Sequence, residues 1–434
     1  MKVMIIGGGG REHAIAWKLN QSPRVDEIVC APGNAGIAAI ARCENVSAEE
    51  VPALVSLADR ERPDLVVVGP EVPLALGITD ELQAIGLRVF GPNKKCSQLE
   101  ASKAFTKNFL HRHGIPTAQS KEYTDIEELK KEVGIFGFPM VLKADGLAAG
   151  KGVVIAQNRA EADKAIDEMM GQRVFGEAGD KVVVEEFLRG TEASILCFVD
   201  GSKIVPMESA QDYKKIYDED RGPNTGGMGN YSPSKLYDKP TEDLIRERIL
   251  APTYEGFLKD KLDFRGVLFI GIMLTKDGPK VIEFNNRFGD PETQVVLPRL
   301  KSDLYDIMVA VTKDRLAQTN IEWEHGRNAV CVVMAAGGYP GSYEKGKEIH
   351  GLAEVGITGS GSESSDIIVF HAGTKFGANE EILTNGGRVL GVVGIGSSHE
   401  RARVKAYEGV RKISFEGAQY RSDIGVVYNT EIEE

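Results

Sequence analysis

Cysteine is scarce in this sequence, and its spacing fits none of the usual metal or disulfide patterns. Five of the 434 residues are cysteines, and no two of them stand in a Cys-x-x-Cys pair. Their number is odd, and they are scattered along the chain. We therefore expect neither a zinc site nor a disulfide framework, and a reducing compartment fits this usage.

Long apolar runs and an excess of positive charge are also missing. No apolar run reaches the roughly 18 residues that a membrane-spanning helix needs, and Met1 leads directly into a predicted strand without the pattern of a secretory leader. The formal net charge of −12 and the isoelectric point of about 5.3 argue against a general nucleic-acid binder. We expect a cytoplasmic protein, a monomer or weak dimer, that binds small molecules rather than membranes or nucleic acids.

Four consecutive glycines, Gly7–Gly10, follow the first predicted strand. A glycine-rich turn at this place suggests a phosphate site, and a dinucleotide is the first candidate ligand. The fingerprint G-x-G-x-x-G fails here, because its last glycine would have to stand where Glu12 or His13 stands. No acid for a ribose closes the second predicted strand, so the turn is not that of a dinucleotide site.

Residues 1–101 alternate short apolar strands with helical patterns, which predicts a parallel α/β sheet. Ligands of such sheets bind beyond the carboxyl ends of the strands. Asn34, Gly36 and Glu71 follow two of these ends.

A second glycine loop, at 143–152, stands between two predicted strands. It is not a Walker A loop, because the glycine spacing is one residue short and a strand follows instead of a helix. A hairpin that folds over a triphosphate fits better, with Lys143 and Lys151 neutralising its charge. The glycines of this hairpin are Gly146, Gly150 and Gly152.

The predicted strand that ends with Glu185-Glu186-Phe187-Leu188 adds a nucleoside site. We expect an acid there to accept a hydrogen bond from the amino group of adenine, while backbone groups pair with the ring edge. Glu192 is expected to reach a ribose hydroxyl.

The segment VIEFNNRFGDPETQ at 281–294 is the densest cluster of functional groups. On a strand, Glu283, Asn285 and Arg287 point to one face. The first two supply the oxygen ligands that Mg²⁺ prefers, and the arginine can hold a phosphoryl group or carboxylate in bidentate fashion. The turn Gly289–Glu292 places further carboxylates, Asp290 and Glu292, near a substrate.

The segment 211–233 mixes charge, glycine and amide groups over more than twenty residues. Long loops of this kind are often functional, and we interpret it as an active-site loop. Its residues Asn224, Thr225, Gly226, Gly227 and Met228 are expected to offer backbone N–H groups to an anion.

Three segments in this order, KADGLAAGKGV, EEFL and EFNNRFGDPETQ, resemble the ATP-grasp ligases. Among these, the chain is similar to the phosphoribosylamine–glycine ligase family from residue 1 to about 425, through GGREHA, APGNAG, VVGPEVPL, LEASKAFTK, GPNTGGMGNYSP, FHAGTK and TNGGRVL. One departure is visible, because the family usually has histidine and arginine where Tyr213 and Lys215 stand. It changes the local charge geometry and leaves Asp212 in place.

The resemblance implies α/β and α+β domains: an N-terminal Rossmann-like substrate domain (1–101), an ATP-grasp central domain (102–121 and 187–325), a mobile lid (122–186) and a small C-terminal α+β domain (326–434). It implies ligation of glycine to 5-phosphoribosylamine, driven by ATP through a glycyl phosphate, in de novo purine biosynthesis. The implied cofactors are ATP and one or two Mg²⁺ ions, with Mn²⁺ as an alternative. Positioning and electrostatics then carry the catalysis, without a covalent enzyme nucleophile.

The same resemblance assigns roles to residues. Lys143, Asp212 and Arg287 are the expected catalytic residues, and Glu283 and Asn285 the expected metal ligands. The expected ATP contacts are Lys103, Lys143, Gly146, Gly150, Lys151, Gly152, Glu185, Glu186, Phe187, Leu188 and Glu192. The expected substrate contacts are Gly8, Gly9, Gly10, Asn34, Gly36, Glu71, Asp212, Asn224, Thr225, Gly226, Gly227, Met228, Arg287, Gly289, Asp290 and Glu292. Since ATP takes the loop at 143–152, the Gly8–Gly10 turn at a helix N-terminus is left for the 5-phosphate of phosphoribosylamine.

Three alternatives stay open. The chain could be another ATP-grasp ligase that acts on a ribonucleotide with formate or bicarbonate, although the GPNTGGMG and GGREHA segments argue against it. A dinucleotide-dependent oxidoreductase would rest on the N-terminal glycines alone. A non-catalytic nucleotide sensor would lack a lysine or metal ligand, and none is missing from the sequence.

Overall fold

The structure is a computed structural model that describes residues 1–147, 152–355 and 366–426. Two residues of the predicted triphosphate hairpin, Gly150 and Lys151, lie outside the described residues. Within the described ranges, no helix has the length and apolar character that a membrane crossing requires.

The N-terminal part is a parallel sheet flanked by helices. Its strands are β1 (Lys2–Gly7), β2 (Glu27–Pro32), β3 (Arg42–Cys43), β4 (Leu65–Val68) and β5 (Val89–Phe90), and its helices are α1 (Gly10–Leu19), α2 (Val51–Glu61), α3 (Glu71–Leu76), α4 (Ile78–Ala84) and α5 (Lys94–Ala101). The strand order is β3-β2-β1-β4-β5. Central β1 is fully buried from Val3 to Ile6, as expected for a parallel strand covered on both faces. The predicted parallel α/β sheet is confirmed.

Helix α6 (Lys103–Arg112) leads to a small antiparallel sheet, which we call the lid sheet. Its strands are β6 (Ser120–Tyr123), β7 (Met140–Ala144), β8 (Val153–Ala156) and β9 (Val182–Glu186), in the order β6-β9-β7-β8, with helices α7 (Ile126–Glu132) and α8 (Arg159–Ile166). The lid sheet has a buried core of its own, which includes Leu142 and Val184. Strands β7 and β8, which flank the second glycine loop, pair in antiparallel fashion, as expected for the two strands of a hairpin.

The next part of the chain contributes to two larger sheets. Its strands are β10 (Thr191–Val199), β11 (Ile204–Pro206), β12 (Gln211–Asp212), β13 (Lys215–Tyr217), β14 (Arg221–Asn224), β15 (Gly229–Ser232), β16 (Gly266–Thr275) and β17 (Gly278–Asn285), and its helices are α9 (Lys239–Ile245), α10 (Ala251–Lys259), α11 (Glu292–Val296) and α12 (Leu304–Val311). The central antiparallel sheet has the order β11-β10-β16-β17. It contains two hairpins, β10–β11 and β16–β17, and the second has a tight turn between Thr275 and Gly278.

The C-terminal sheet recruits two strands from the segment predicted as a long loop. Its own strands include β18 (Asn328–Ala335), β19 (Ile367–His371) and β22 (Arg388–Gly396), with β20 (Thr374–Phe376) and β21 (Ile382–Thr384) paired separately, and its helices are α13 (Leu352–Val355) and α14 (His399–Val410). The sheet order is β12-β15-β18-β22-β19. Strand β15 pairs with β18, far away in sequence, so local patterns do not reveal that β12 and β15 belong to this sheet.

One hydrophobic core joins these parts. It includes Ile15 of α1, Leu196 of β10, Val296 of α11 and Cys331 of β18. The N-terminal, central and C-terminal sheets therefore pack on one another, and the loops at their edges face a common space.

Candidate active site

A cavity of about 630 Å³ lies where the four sheets meet. Its wall takes residues from α6, β7, β17 and β22, among them Lys103, Lys143, Asn285 and Arg388. The predicted site residues on this wall are Glu71, Lys103, Lys143, Gly152, Glu185, Asp212, Asn224, Thr225, Gly226, Glu283, Asn285, Arg287, Asp290 and Glu292. Residues predicted from distant segments thus face one space.

The predicted metal ligands lie side by side at the end of β17. Asn285 Nδ2 donates to Glu283 Oε1 at 3.3 Å, and Arg287 Nη2 donates to Asn285 Oδ1 at 3.4 Å. This row agrees with the predicted common face. Burial opposes the charge of Glu283, but the nearby lysines, led by Lys214 and Lys143, lower its pKa below the ordinary value, so the carboxylate is ionised near neutral pH.

Two protein oxygens fit a hard divalent cation that takes its other ligands from phosphate and water. Throughout the described ranges, no group of three or more His, Cys, Asp and Glu side chains is arranged to hold a metal ion. Mg²⁺ in phosphoryl-transfer sites is typically held by one or two carboxylates plus substrate phosphates. The pair Glu283 and Asn285 matches this donor set.

Arg287 is fixed by two carboxylates. Its Nη2 lies 3.0 Å from Glu100 Oε1, and its Nε lies 3.5 Å from Glu71 Oε2. Burial opposes ionisation of Glu71, yet Arg287 and Arg11 lower its pKa. Sequence reasoning missed Glu100, whose other oxygen accepts the backbone N–H of Asn286 at 2.7 Å. Its position in the LEASKAFTK motif was the available signal.

The two predicted phosphate lysines face the cavity from different elements. Lys103, at the start of α6, donates to the carbonyl oxygen of Gly146 at 2.7 Å, which ties the helix to the glycine hairpin. Burial lowers the pKa of Lys103, although neighbouring carboxylates, Glu283 first, act against this. Lys143 of β7 lies 2.9 Å from Glu185 and 3.3 Å from the carbonyl oxygen of Ile282.

The residues predicted to bind the nucleoside differ in their contacts within the protein. The Glu185 carboxylate is buried between Lys107 and Lys143, at 2.9 Å from each, so each of its oxygens takes part in an ion pair within the protein. Glu186 accepts the backbone N–H of Gln119 at 3.0 Å. Glu192 pairs with Lys214 at 2.7 Å. The role of each toward adenosine stays a prediction, as do those of Phe187, whose ring lies under the Arg189 guanidinium, and half-buried Leu188.

The N-terminal glycine turn lies beside the turn that follows β17. A Cβ atom on Gly9 would be 3.4 Å from Asp290 Oδ2, and one on Gly10 would be 2.6 Å from Gln294 Nε2. A Cβ atom on Gly8 would overlap the carbonyl of Gly33, so this glycine permits close contact between two strand ends. The turn also opens α1, where the buried carboxylate of Glu12 accepts the N–H of Gly9 at 2.6 Å.

Asn34 and Gly36 pack inside the protein beside the N-terminal glycine turn. The Asn34 amide donates to the carbonyl oxygens of Gly8 (2.9 Å) and His371 (2.8 Å), and its oxygen accepts the N–H groups of Gly36 and Ile37 at 2.9 Å each. These four bonds use the full capacity of an amide, so its side chain is engaged within the protein, and its contact with the substrate stays a prediction. A Cβ atom on Gly36 would lie 2.5 Å from ring atoms of both His13 and His371.

The predicted anion-binding backbone of 224–228 is engaged within the protein. The N–H groups of Thr225 and Met228 donate to the carbonyl oxygens of Lys214 and Tyr213 at 2.7 and 2.8 Å. Those of Gly226 and Gly227 donate to Tyr339 Oη and Thr225 Oγ1 at 2.9 and 3.0 Å. The Met228 side chain is fully buried. Any substrate contact by this loop therefore falls to Asn224, Thr225 and Gly226 on the cavity wall.

Side chains at 212–214 alternate between the cavity and the core, which explains why tyrosine can replace the family's usual histidine at Tyr213. Asp212 and Lys214 line the cavity, while Tyr213 points the other way, into the C-terminal core. The Tyr213 hydroxyl donates to the carbonyl oxygen of Val426 at 2.7 Å, and the Arg421 guanidinium lies 5.0 Å from its ring centroid. The tyrosine thus takes part in packing, not in the cavity wall.

Half-buried Asp212 and buried Glu292 are two carboxylates on that wall. Burial raises the pKa of both, and the charge of Glu292 raises the pKa of Asp212 further. Asp290 differs, because Arg388 and Arg11 outweigh the effect of burial and lower its pKa. Gly289 sits at the start of this turn, against the Glu292 carboxylate. The site therefore offers both an ionised carboxylate and carboxylates that accept protons readily.

The C-terminal part of the chain supplies wall residues that the sequence interpretation missed. Arg388, Tyr339 and Tyr343 all face the cavity. Arg388 donates to the carbonyl oxygen of Asp290 at 2.7 Å and to that of Gly226. Its charge at the start of an otherwise apolar strand was a signal that could have identified it.

Family models and solved structures agree with this architecture. The models described as Phosphoribosylglycinamide synthetase, N domain, ATP-grasp (A) domain and C domain match residues 1–100, 101–293 and 329–427. A phosphoribosylamine–glycine ligase of Caldanaerobacter subterraneus is 49% identical over 428 residues, which covers 99% of this chain and 100% of the relative.

Structural similarity extends over nearly the whole chain. The crystal structure of a phosphoribosylamine–glycine ligase from Thermotoga maritima has a TM-score of 0.85 and 34% identity, with coverage of 98% of this chain and 100% of that one. The biotin carboxylase domain of the Hydrogenobacter thermophilus 2-oxoglutarate carboxylase, solved with MgADP and bicarbonate, shares the fold at a TM-score of 0.72 and 15% identity, with coverage of 96% and 91%. The chain therefore belongs to the phosphoribosylglycinamide synthetase family of ATP-grasp ligases.

Proposed function

We propose that this chain ligates glycine to 5-phosphoribosylamine at the expense of ATP, giving glycinamide ribonucleotide, ADP and phosphate in purine biosynthesis. The observation that carries the proposal is the shared cavity. Lys103, Lys143 and the Glu283–Asn285 pair face the same space as Asp290, which lies beside the Gly8–Gly10 turn. Family membership over the whole chain supports the same reaction.

The reaction consists of two displacements. A carboxylate oxygen of glycine attacks the γ-phosphorus of ATP, the bond to the bridging oxygen breaks, and ADP leaves. The amine of 5-phosphoribosylamine then attacks the carbonyl carbon of glycyl phosphate and loses a proton. Phosphate departs with the oxygen that came from glycine.

We propose that the ATP phosphates lie against Lys103 and Lys143, under the hairpin that contains Gly146, Gly150, Lys151 and Gly152. The adenosine would lie along the end of β9, near Glu186, Phe187, Leu188 and Glu192. Two cations on one wall, buried Lys143 and half-buried Lys103, support this placement, since they neutralise charge on the transferred phosphoryl group. Glu185 would serve the nucleotide through its lysine partners.

Glu283 and Asn285 would hold the divalent ion, for which we propose Mg²⁺, with Mn²⁺ as an alternative and one or two ions bound. When bound, such an ion offsets the charge that develops on the phosphate oxygens. The ionised state of Glu283 and the neighbouring amide oxygen of Asn285 support this assignment.

Arg287 would steady the carboxylate of glycine and the glycyl phosphate. Its fixation by Glu71 and Glu100 supports the assignment, because a planar guanidinium in a fixed position binds a carboxylate or phosphate in bidentate fashion. Asp212 is proposed as the acceptor for the proton of the amine, since a raised pKa suits a general base. Asp290 and Glu292 complete the substrate side.

The Gly8–Gly10 turn and the first turn of α1 would hold the 5-phosphate of phosphoribosylamine. A helix N-terminus favours an anion through its unpaired N–H groups and its dipole. Arg11, which follows the turn and lines the cavity, adds a positive charge. Glu71 lies on the same wall and is the proposed ribose contact.

We propose that residues 122–186 close over the cavity as a lid and exclude water from the glycyl phosphate. The separate core of the lid sheet supports movement as a unit. Proteolysis within 144–152 should slow when ATP is present, and a rate that ATP leaves unchanged would contradict the lid. The proposed setting is a monomer or weak dimer in the cytoplasm, without nucleic-acid partners.

A comparison of carboxylate substrates tests the proposed function. ADP release is measured with phosphoribosylamine and, in turn, glycine, formate or bicarbonate. Of the three carboxylates, we expect only glycine to give ADP release. Glu283→Ala should lose this ADP release while its circular dichroism spectrum stays unchanged. Release with formate or bicarbonate in place of glycine would identify another ATP-grasp ligase.

A further inference from the structure

Three charged side chains form a buried row beside the cavity: Lys107 of α6, Glu185 of β9 and Lys143 of β7. Lys107 Nζ lies 2.9 Å from Glu185 Oε2, and Lys143 Nζ lies 2.9 Å from Glu185 Oε1. The three side chains are only 7%, 4% and 6% exposed. The carboxylate therefore bridges two ammonium groups, each through a different oxygen.

The two lysines differ in their other contacts. Lys107 Nζ also donates to Thr117 Oγ1 at 2.8 Å and to the carbonyl oxygen of Ala118 at 3.4 Å, so its three hydrogens all have acceptors in the protein. Lys143 has one hydrogen-bond acceptor among the residues that the structure describes, the carbonyl oxygen of Ile282, and an ion pair with Glu185. Its ammonium group also lines the cavity, where a ligand can contact it.

Burial of the Lys107 charge is unfavourable, which indicates that this lysine has a function in the row. Burial lowers the pKa of Lys107 to about 8, even though the charge of Glu185 acts against this. A buried charge without a partner is strongly destabilising, and a second lysine beside Lys143 needs the carboxylate between them. Lys107 in turn fixes that carboxylate, because its contacts to Thr117 and Ala118 leave the ammonium group no freedom.

We propose that Glu185 is a positioning residue, anchored by Lys107, that holds Lys143 in place for the ATP phosphates. Lys107 does not touch the nucleotide in this arrangement, and Glu185 acts on the ATP phosphates through Lys143. The inference rests on the proposed function, because the ligand of Lys143 is the triphosphate of ATP. The expected contact between the Glu185 carboxylate and adenine stays a separate prediction.

Variants that change the charges of the row distinguish a residue that positions Lys143 from one that only stabilises the fold. The intact row carries two positive charges and one negative charge. Glu185→Gln leaves two buried ammonium groups facing each other, whereas Lys107→Met leaves Lys143 paired with its carboxylate. The double variant, Glu185→Gln with Lys107→Met, removes one charge of each sign. It thereby relieves the repulsion between the two ammonium groups, although Lys143 still lacks its ion pair with Glu185.

The test measures binding of the non-hydrolysable ATP analogue AMP-PNP to the full chain by calorimetry, together with KM for ATP and for glycine. Glu185→Gln should weaken AMP-PNP binding and raise KM for ATP about tenfold, the effect of a lost charged hydrogen bond, and leave KM for glycine unchanged. The double variant should bind AMP-PNP more tightly than Glu185→Gln does. Lys107→Met should lose less affinity than Glu185→Gln. Glu122→Gln, an exposed carboxylate paired with Lys181 in the lid sheet, is the matched control.

Equal affinity of Glu185→Gln and the unsubstituted chain for AMP-PNP would overturn the proposal. So would a double variant that binds no better than Glu185→Gln, or rises in KM that are equal for ATP and glycine. If Glu185→Gln does not fold, Lys107→Met decides, because a KM change for glycine rather than ATP contradicts the proposed arrangement. AMP-PNP binding needs no ligation, so a chain that binds it but does not ligate glycine contradicts the proposed function alone.

Discussion

The guanidinium of Arg388, the first residue of β22, donates a hydrogen bond of 2.7 Å to the backbone carbonyl of Asp290. This bond ties the C-terminal sheet to the turn that follows β17. Arg388 also donates to the carbonyl of Gly226, so a single side chain holds two predicted substrate segments together. The C-terminal part therefore shapes the substrate side of the cavity.

Arg388→Met should separate these two segments. Its donors cannot be replaced by a thioether, so we expect kcat/KM for glycine and phosphoribosylamine to fall at least about tenfold, the value of one lost charged hydrogen bond. KM for ATP should not change, because the lysines and β9 lie on another wall. Steady-state kinetics check this, with Arg401→Met on the exposed face of α14 as the control. Equal rises in all three KM values would contradict it.

Gly9→Ala should interfere with one substrate only. The new methyl group would stand 3.4 Å from Asp290 Oδ2 and 3.0 Å from Glu12 Oε2, contacts that allow folding but crowd the turn. We expect a higher KM for phosphoribosylamine and an unchanged KM for ATP, as measured by initial rates. Gly326→Ala serves as the control, because nothing lies within 4 Å of its added Cβ. An unchanged KM for phosphoribosylamine would remove the turn from the phosphate site.

Tyr213→His should affect stability and not catalysis. The tyrosine is 6% exposed, donates to the carbonyl of Val426 and stacks near Arg421, all outside the cavity. Loss of this hydrogen bond should lower the melting temperature, since such a bond contributes about 1 kcal/mol, while kcat and each KM stay the same. A changed kcat with an unchanged melting temperature would place this position in the site after all.

His371 should make the protein less stable in acid. Burial lowers the pKa of this histidine from 6.5 to about 4. Between these values the unfolded chain binds more protons than the folded one, so stability falls as the pH falls, by up to about 1.4 kcal/mol per pH unit for one such group. His371→Asn should give a shallower loss of melting temperature between pH 6.5 and pH 4.5. His325→Asn, on a side chain that is 81% exposed, should keep the original slope. Equal slopes for His371→Asn and the unsubstituted chain would refute this assignment.

Local patterns were sufficient for the N-terminal sheet, the lid hairpin and the row on β17. Each depends on residues near one another in sequence, such as Glu283, Asn285 and Arg287 at alternate positions. The long segment 211–233 was different, because β15 takes its structure from pairing with distant β18. A predicted loop thus proved to be the edge of the C-terminal sheet.

The partners of the site residues could not be predicted in the same way. The ion pairs of Glu100 with Arg287 and of Glu185 with Lys107 cross from one element to another. Lys107 stands four residues after Lys103 on α6, a spacing that places both on one helix face and could have identified it. Contacts of Arg388 depend on how the C-terminal sheet packs, which no local pattern encodes.

The path of a glycine oxygen tests the reaction most directly. The chain is supplied with ATP, phosphoribosylamine and glycine labelled with ¹⁸O in both carboxylate positions, and the phosphate released is examined by mass spectrometry. Attack by the glycine carboxylate on ATP predicts one ¹⁸O atom in each phosphate and one in the amide of glycinamide ribonucleotide. Phosphate without ¹⁸O, released together with that product, would contradict a glycyl phosphate.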